Sequence, residues 1–157
     1  MEATRMTVDV LIDDDAGFTL LIERAKEPFM DKLVMPGGHV EGGESFRQAA
    51  VRELAEEVGV VVEMEQLQEL CYLDASDRDP RPGHRESQVY RLHVPSIHRL
   101  GAKAASDAKR IRIVAHASLT PDMIGFDHYQ AIEALRAKLV VSSRKPREPL
   151  EDIPFSC

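Results

Sequence analysis

The chain has 157 residues, the usual size of one domain, and its 43% hydrophobic and 30% charged residues are the balance of a soluble globular protein. Twenty Lys and Arg against twenty-seven Asp and Glu give a net charge of −7, so the global field repels polyanions and a general nucleic-acid footprint is excluded. No apolar run approaches the roughly eighteen residues of a membrane span, and Met1-Glu2-Ala3-Thr4-Arg5 lacks a secretory pattern, so a cytoplasmic protein is expected.

Residues 6–12 and 18–22 are rich in β-branched and aliphatic types on either side of Asp13-Asp14-Asp15-Ala16-Gly17, which predicts a hairpin. Lys32-Leu33-Val34-Met35 reads as a short strand stopped by Pro36-Gly37-Gly38, because proline cannot donate to a ladder and glycine permits sharp, close-approach backbone. Ser45 and Gln48 fit a capping box, and nothing breaks the stretch before Gly59; the spacing predicts a helix of about 13 residues ending in a glycine cap. Val60-Val61-Val62 opens a further strand region extending, with breaks, toward Cys71-Tyr72-Leu73. Residues 74–85 turn polar, with Pro80, Pro82 and Gly83, and read as a surface loop of functional length.

Ser87 to Val94 alternates as a strand, residues 100–110 read as a flexible connection, and Ile111-Arg112-Ile113-Val114 as a last strand. Phe126 to Val141 carries Ile132, Leu135 and Leu139 at helical spacing, which predicts an amphipathic helix. One domain over 1–141 is expected, followed by a flexible tail over 142–157 with prolines at 146, 149 and 154. Cys71 and Cys157 are too few for a disulfide framework or a Cys-rich zinc site. His93, His98 and His116 lack zinc-motif spacing, and no P-loop or spaced-glycine dinucleotide fingerprint is present.

The informative segment begins at Gly38. On a helix, Glu53, Glu56 and Glu57 project from one side, while Ala50, Leu54 and Val58 form the adjacent apolar stripe that would pin the helix to a sheet. Like charges so close repel unless cations are present, and hard divalent ions supply that compensation with oxygen ligands. Gly37 and Gly38 would let a backbone carbonyl approach the same ion. Taken alone, Arg-Glu-Leu-Ala-Glu-Glu also reads as an ordinary solvated helix face.

The loop context decides between these. The pattern G-x5-E-x7-R-E-U-x-E-E-x-G-U, with U aliphatic, is filled at every specified position by Gly38, Glu44, Arg52, Glu53, Leu54, Glu56, Glu57, Gly59 and Val60. This resembles the Nudix hydrolase signature, and Met35-Pro36-Gly37-Gly38 looks like that family's approach loop. The resemblance implies a Nudix fold, an α-β-α sandwich with a mixed sheet between helices. It also implies hydrolysis of a nucleoside diphosphate derivative by water attacking phosphorus. Glu53, Glu56 and Glu57 would then serve catalysis and bind Mg²⁺ or Mn²⁺ with the main-chain carbonyl of Gly37. Gly38, Glu44, Arg52 and Gly59 would be the structural part of the motif. The proton acceptor stays open between one of the glutamates and a separate loop residue.

Two further stretches concern the substrate. Residues 77–84, Asp-Arg-Asp-Pro-Arg-Pro-Gly-His, resemble the Asp-Pro-Arg-Gly-His loop of ADP-ribose pyrophosphatases, with Pro82 inserted, and Phe126-Asp127-His128 resembles the start of their last helix. Arg78 and Arg81 read either as a clamp on phosphate or ribose oxygens or as a loop whose charges satisfy one another. His39 faces either substrate or solvent, and His128 is either a packing residue or a ligand contact. The resemblance implies ADP-ribose cleaved to AMP and ribose 5-phosphate, a small-molecule nucleotide partner with no nucleic acid or membrane, and a homodimer. Hydrolysis of nucleoside triphosphates or dinucleoside polyphosphates, and a non-catalytic nucleotide-sensing module, are the alternatives.

Overall fold

The β-branched run at the start of the chain forms β1 (Arg5–Asp14), the central strand of the computed structural model, which describes residues 3–105 and 110–143. Asp14 Oδ1 accepts the N–H groups of Ala16 at 3.0 Å and Phe18 at 2.9 Å, turning the chain into antiparallel β2 (Phe18–Glu23). This is the predicted hairpin, but its strands pair only near the turn, Ile12 with Leu20 and Asp13 with Thr19. Farther along, β3 (Leu33–Val34) pairs with β2 and β4 (Gly37–His39) pairs with β1 at Thr7, Val8 and Asp9, so residues 33–39 fill the opening. Strand β3 stops before Pro36 as expected, but the glycines after it form a strand of their own. Pro36 contributes its carbonyl to Val10 N–H at 2.9 Å, and the glycines resume pairing because backbone without side chains can lie flush against β1.

Helix α1 (Phe46–Val58) begins at the expected capping box: Gln48 N–H donates to Ser45 Oγ at 3.1 Å and Ser45 N–H to Gln48 Oε1 at 2.7 Å. It ends at Gly59, whose φ of 66° is the left-handed cap. Ala49, Ala50, Leu54 and Val58 are buried against Val8, Val10 and Ile12 of β1, each large aliphatic side chain contributing about 1.5–3 kcal/mol. The strand expected from Val60 does not form. Val60 and Val62 turn inward while Val61 is 85% exposed, but Val60 N–H is taken by the Leu54 carbonyl and a 3₁₀ turn follows at Met64–Gln66. Pairing begins only with β5 (Leu67–Leu73).

The loop at 74–84 leads to β6 (Arg85–Val94), which runs parallel to β1 along its whole length and antiparallel to β5; β7 (Arg110–Ala115) borders β2. Helix α2 (Tyr129–Ser143) buries Ala131, Ile132 and Leu135 against Leu11, Leu21, Met35 and Val89. Alternation along β1 and β6 thus sends Val8, Val10, Tyr90 and Leu92 toward α1 and Leu11 and Val89 toward α2, giving the expected sandwich with apolar residues on both sheet faces.

The last helix departs from its predicted form in two ways. It starts at Tyr129 because Phe126 has a left-handed φ of 51°, and Leu139 lies 41% exposed, off the buried stripe. It also runs through Ser143, past the boundary expected at 141; the expected tail from 144 onward, and residues 106–109 of the expected connection, lie outside the described residues. Among the described residues, no helix is long and apolar enough to cross a membrane.

Candidate active site

Strand β4 brings the glycines against the end of α1, and the crowding there explains why they carry no side chain. A Cβ on Gly38 would collide with the Glu53 carboxylate, and one on Gly37 would collide with the Val8 carbonyl and with Asp9 Oδ1. Gly37 N–H donates to Glu57 Oε2 at 3.2 Å. Two carboxylates of α1 are therefore held directly against the backbone of β4.

Arg52 organises the rest of this wall. Its Nε and Nη2 donate to Glu44 Oε2 and Oε1 at 3.1 and 2.7 Å, a bidentate link from helix to loop, and Nη2 also reaches the His39 carbonyl at 2.9 Å. Its Nη1 donates to Glu53 Oε1 at 3.0 Å and to Glu56 Oε2 at 3.1 Å. The hydrogen bond from Arg52 holds Glu44 below the ordinary carboxylate range, and the same contact raises the Arg52 pKa. Burial pushes Glu53 upward; Arg52 opposes the rise, and the neighbouring charges of Glu57 and Glu56 add to it.

Among the described residues, no three acidic, histidine or cysteine side chains already stand as a metal cage. Of the acids expected to converge, Glu53 and Glu56 meet at a single cationic nitrogen, Arg52 Nη1, while Glu57 turns to Gly37. A carboxylate set that gathers around positive charge and repels itself otherwise fits a hard divalent cation with oxygen ligands.

The pocket beside this backbone is rich in cationic side chains. Arg24, Arg81, Arg85, His39 and Phe126 share one pocket with Gly37, Gly38 and Glu57. The guanidinium carbons of Arg24 and Arg81 lie 5.0 and 5.4 Å from the Phe126 ring centroid. Arg81 is also held by Asp79, Nε to Oδ1 at 3.0 Å and Nη2 to Oδ2 at 2.6 Å. Burial lowers the Arg24 pKa, and repulsion from Arg81 lowers it further. His39 is lowered by burial and then by Arg85, Arg5 and Arg81.

Arg78 and Arg81 both line this pocket, each tied to a different carboxylate. Arg81 stands at the pocket rim, whereas Arg78 is buried and bonded to Asp127. Beneath the pocket, His128 Nδ1 accepts Met35 N–H at 3.0 Å, so the neutral ring carries its proton on Nε2, which faces Asp9 Oδ2 at 3.7 Å. Ser87 Oγ donates to the same Asp9 oxygen at 2.6 Å. Burial pushes Asp9 up to about 6 and holds His128 down to about 4. Sequence reasoning missed Arg24, Arg85, Asp9 and Ser87, which belong to no local motif and meet only through strand pairing.

The family model described as a NUDIX domain matches residues 3–135. An ADP-ribose pyrophosphatase from Methanocaldococcus jannaschii is 37% identical over 130 residues, which are 82% of this chain and 70% of that one. The NUDIX domain of Shewanella oneidensis NrtR, solved with ADP ribose, superposes with a TM-score of 0.74 at 27% identity, covering 88% of this chain and 90% of that chain. A bifunctional NMN adenylyltransferase/ADP ribose pyrophosphatase from Francisella tularensis, solved with AMP and an Mn ion, gives 0.71 at 31% identity over 88% of this chain; only 42% of that longer protein is covered. With a match across most of its length and an unbroken signature on β4 and α1, the chain belongs to the NUDIX family of pyrophosphohydrolases.

Proposed function

We propose that the chain hydrolyses the diphosphate bridge of ADP-ribose, releasing AMP and ribose 5-phosphate, with Mg²⁺ as the activating ion and Mn²⁺ able to substitute. The observation that carries this reading is one pocket lined both by Glu57, Gly37 and Gly38 of the signature and by Arg24, Arg81 and Arg85. A diphosphate needs positive charge along its length, which arginines supply on one side and a carboxylate-bound cation on the other. The ADP-ribose named for the Methanocaldococcus and Shewanella relatives supports the substrate.

Glu53, Glu56 and Glu57, with the Gly37 carbonyl, would hold the cation. When bound, it neutralises the diphosphate and makes an attacking water more acidic. That Glu57 lines the pocket while the Glu56 side chain is 62% exposed supports Glu57 as the acceptor of the attacking water's proton. Arg24 and Arg81, steadied against Phe126, orient the phosphates. The water oxygen bonds to phosphorus, the bridging P–O bond breaks, and the second phosphate leaves as an anion. Glu44 and Arg52 keep the glutamate loop and helix in register without touching substrate.

A substrate panel with Mg²⁺ or Mn²⁺ and identified products tests the reading. AMP released from ADP-ribose far more efficiently than products from nucleoside triphosphates or dinucleoside polyphosphates is expected. Preference for either of those classes overturns the substrate, and nucleotide binding without turnover overturns the catalytic reading in favour of a sensor.

A further inference from the structure

Arg85 is the first residue of β6 and lies in the wall of the catalytic pocket, outside the signature and outside the loop motif that resembles other ADP-ribose pyrophosphatases. Its side chain is only 9% exposed. One end of the guanidinium is accounted for, since Nη1 donates to the Pro82 carbonyl at 3.1 Å and more distantly to the Gly83 carbonyl at 3.5 Å. Nε is buried and has no hydrogen-bond partner. The nearest acid, Asp79, has Oδ2 at 3.8 Å, beyond hydrogen-bond reach, and both of its oxygens are taken by Arg81.

A buried charged donor without an acceptor costs more than a neutral one, and such groups in native proteins have an explanation at the site. The residue that carries this donor lines the pocket together with Arg24, Arg81 and Glu57. The acceptor that suits an arginine in that position is an anionic oxygen, and an arginine fork matches phosphoryl as well as carboxylate oxygens.

We propose that Arg85 is a substrate-binding residue whose Nε–H donates to a phosphoryl oxygen of the bound nucleotide, a third arginine contact beyond Arg24 and Arg81. The assignment rests on the diphosphate reading given above and adds its missing acceptor. The Pro82 and Gly83 contacts hold the guanidinium in position before substrate arrives, so little ordering is needed on binding.

Arg85→Lys keeps the charge and loses the Nε–H, and Arg85→Met keeps the apolar stem and removes every donor. Both should raise KM for ADP-ribose about tenfold or more, with a smaller change in kcat, as loss of a charge-assisted hydrogen bond predicts. AMP and ribose 5-phosphate titrated calorimetrically without metal report the contact directly; at least one should bind either variant about tenfold more weakly than wild type, with melting within about 3 °C. Equal affinities in wild type and variants, no binding to the wild type, or a loss that only follows unfolding overturns the proposal. If ADP-ribose is not hydrolysed while phosphate-ester binding still depends on Arg85, the substrate reading falls and the Arg85 assignment stands.

Discussion

Arg78 grips Asp127 through two parallel hydrogen bonds, Nε to Oδ2 at 2.9 Å and Nη2 to Oδ1 at 3.0 Å, with side chains only 5% and 10% exposed. This pair ties the 74–84 loop to the residues that lead into α2. Because Asp127 precedes His128, which receives Met35 N–H, the loop is joined through two contacts to the link between β3 and β4. Removing one partner leaves a buried charge without its counter-ion. Arg78→Leu should therefore cost about 3–5 kcal/mol in urea denaturation, while Asp127→Asn, which keeps the shape, should cost less. An Arg78→Leu protein of wild-type stability would show that the pair contributes nothing to the fold.

Glu57 is the carboxylate that both faces the pocket and contacts Gly37. Glu57→Gln should cut turnover about a hundredfold or more while far-ultraviolet dichroism and melting stay near wild type, because one charge is removed at the rim of the core. Near-wild-type turnover would remove Glu57 from the mechanism.

The collision of any Gly38 side chain with the Glu53 carboxylate gives a different prediction. Gly38→Ala should displace Glu53 and raise the metal concentration needed for half-maximal activity, with α1 still folded. A metal activation curve that overlays the wild type would show that Glu53 need not lie against that backbone.

The buried pair beneath the pocket has opposing pH effects on stability. Asp9, raised from an ordinary 3.8 to about 6, favours folding when protonated, so its contribution is full below the unfolded value and is lost as pH rises through about 6. His128, lowered from 6.5 to about 4, resists protonation when folded, so its contribution is full above 6.5 and is lost as pH falls toward 4. The two offset each other across this window. Asp9→Asn should expose the His128 effect, its stability climbing relative to wild type as pH rises from about 4 to 6.5. Chemical denaturation at several pH values checks this, and parallel wild-type and variant profiles would contradict it.

Much of the fold could be read from neighbours in the chain. Ser45, Gln48 and Gly59 bound α1 because capping is a local hydrogen-bond and backbone matter, and the spacing of Ala50, Leu54 and Val58 fixes which side of the helix is buried. Val60-Val61-Val62 misled because alternation reports burial of side chains and not the presence of a pairing partner; these residues bury two side chains without joining the sheet. Periodicity alone extends α2 back to Phe126, because it does not reveal a left-handed φ.

The stretch of α1 that carries Glu53, Glu56 and Glu57 was within reach of the sequence alone, since spacing sets geometry over two helical turns, although Glu57 bonds Gly37 while the other two meet at Arg52. The arginines of the pocket were not. Arg24 follows β2, Arg85 opens β6 and Arg81 lies on the loop between strands, and parallel pairing of β1 with β6 is what carries Arg85 to the pocket. Arg78 and Arg81, three positions apart, line one pocket but are tied to different carboxylates, Arg78 to Asp127 forty-nine residues away and Arg81 to Asp79 two residues away. Contacts closed by short-range backbone geometry were determined by the sequence, and those that depend on which distant charge fills a buried space were decided only by the tertiary structure.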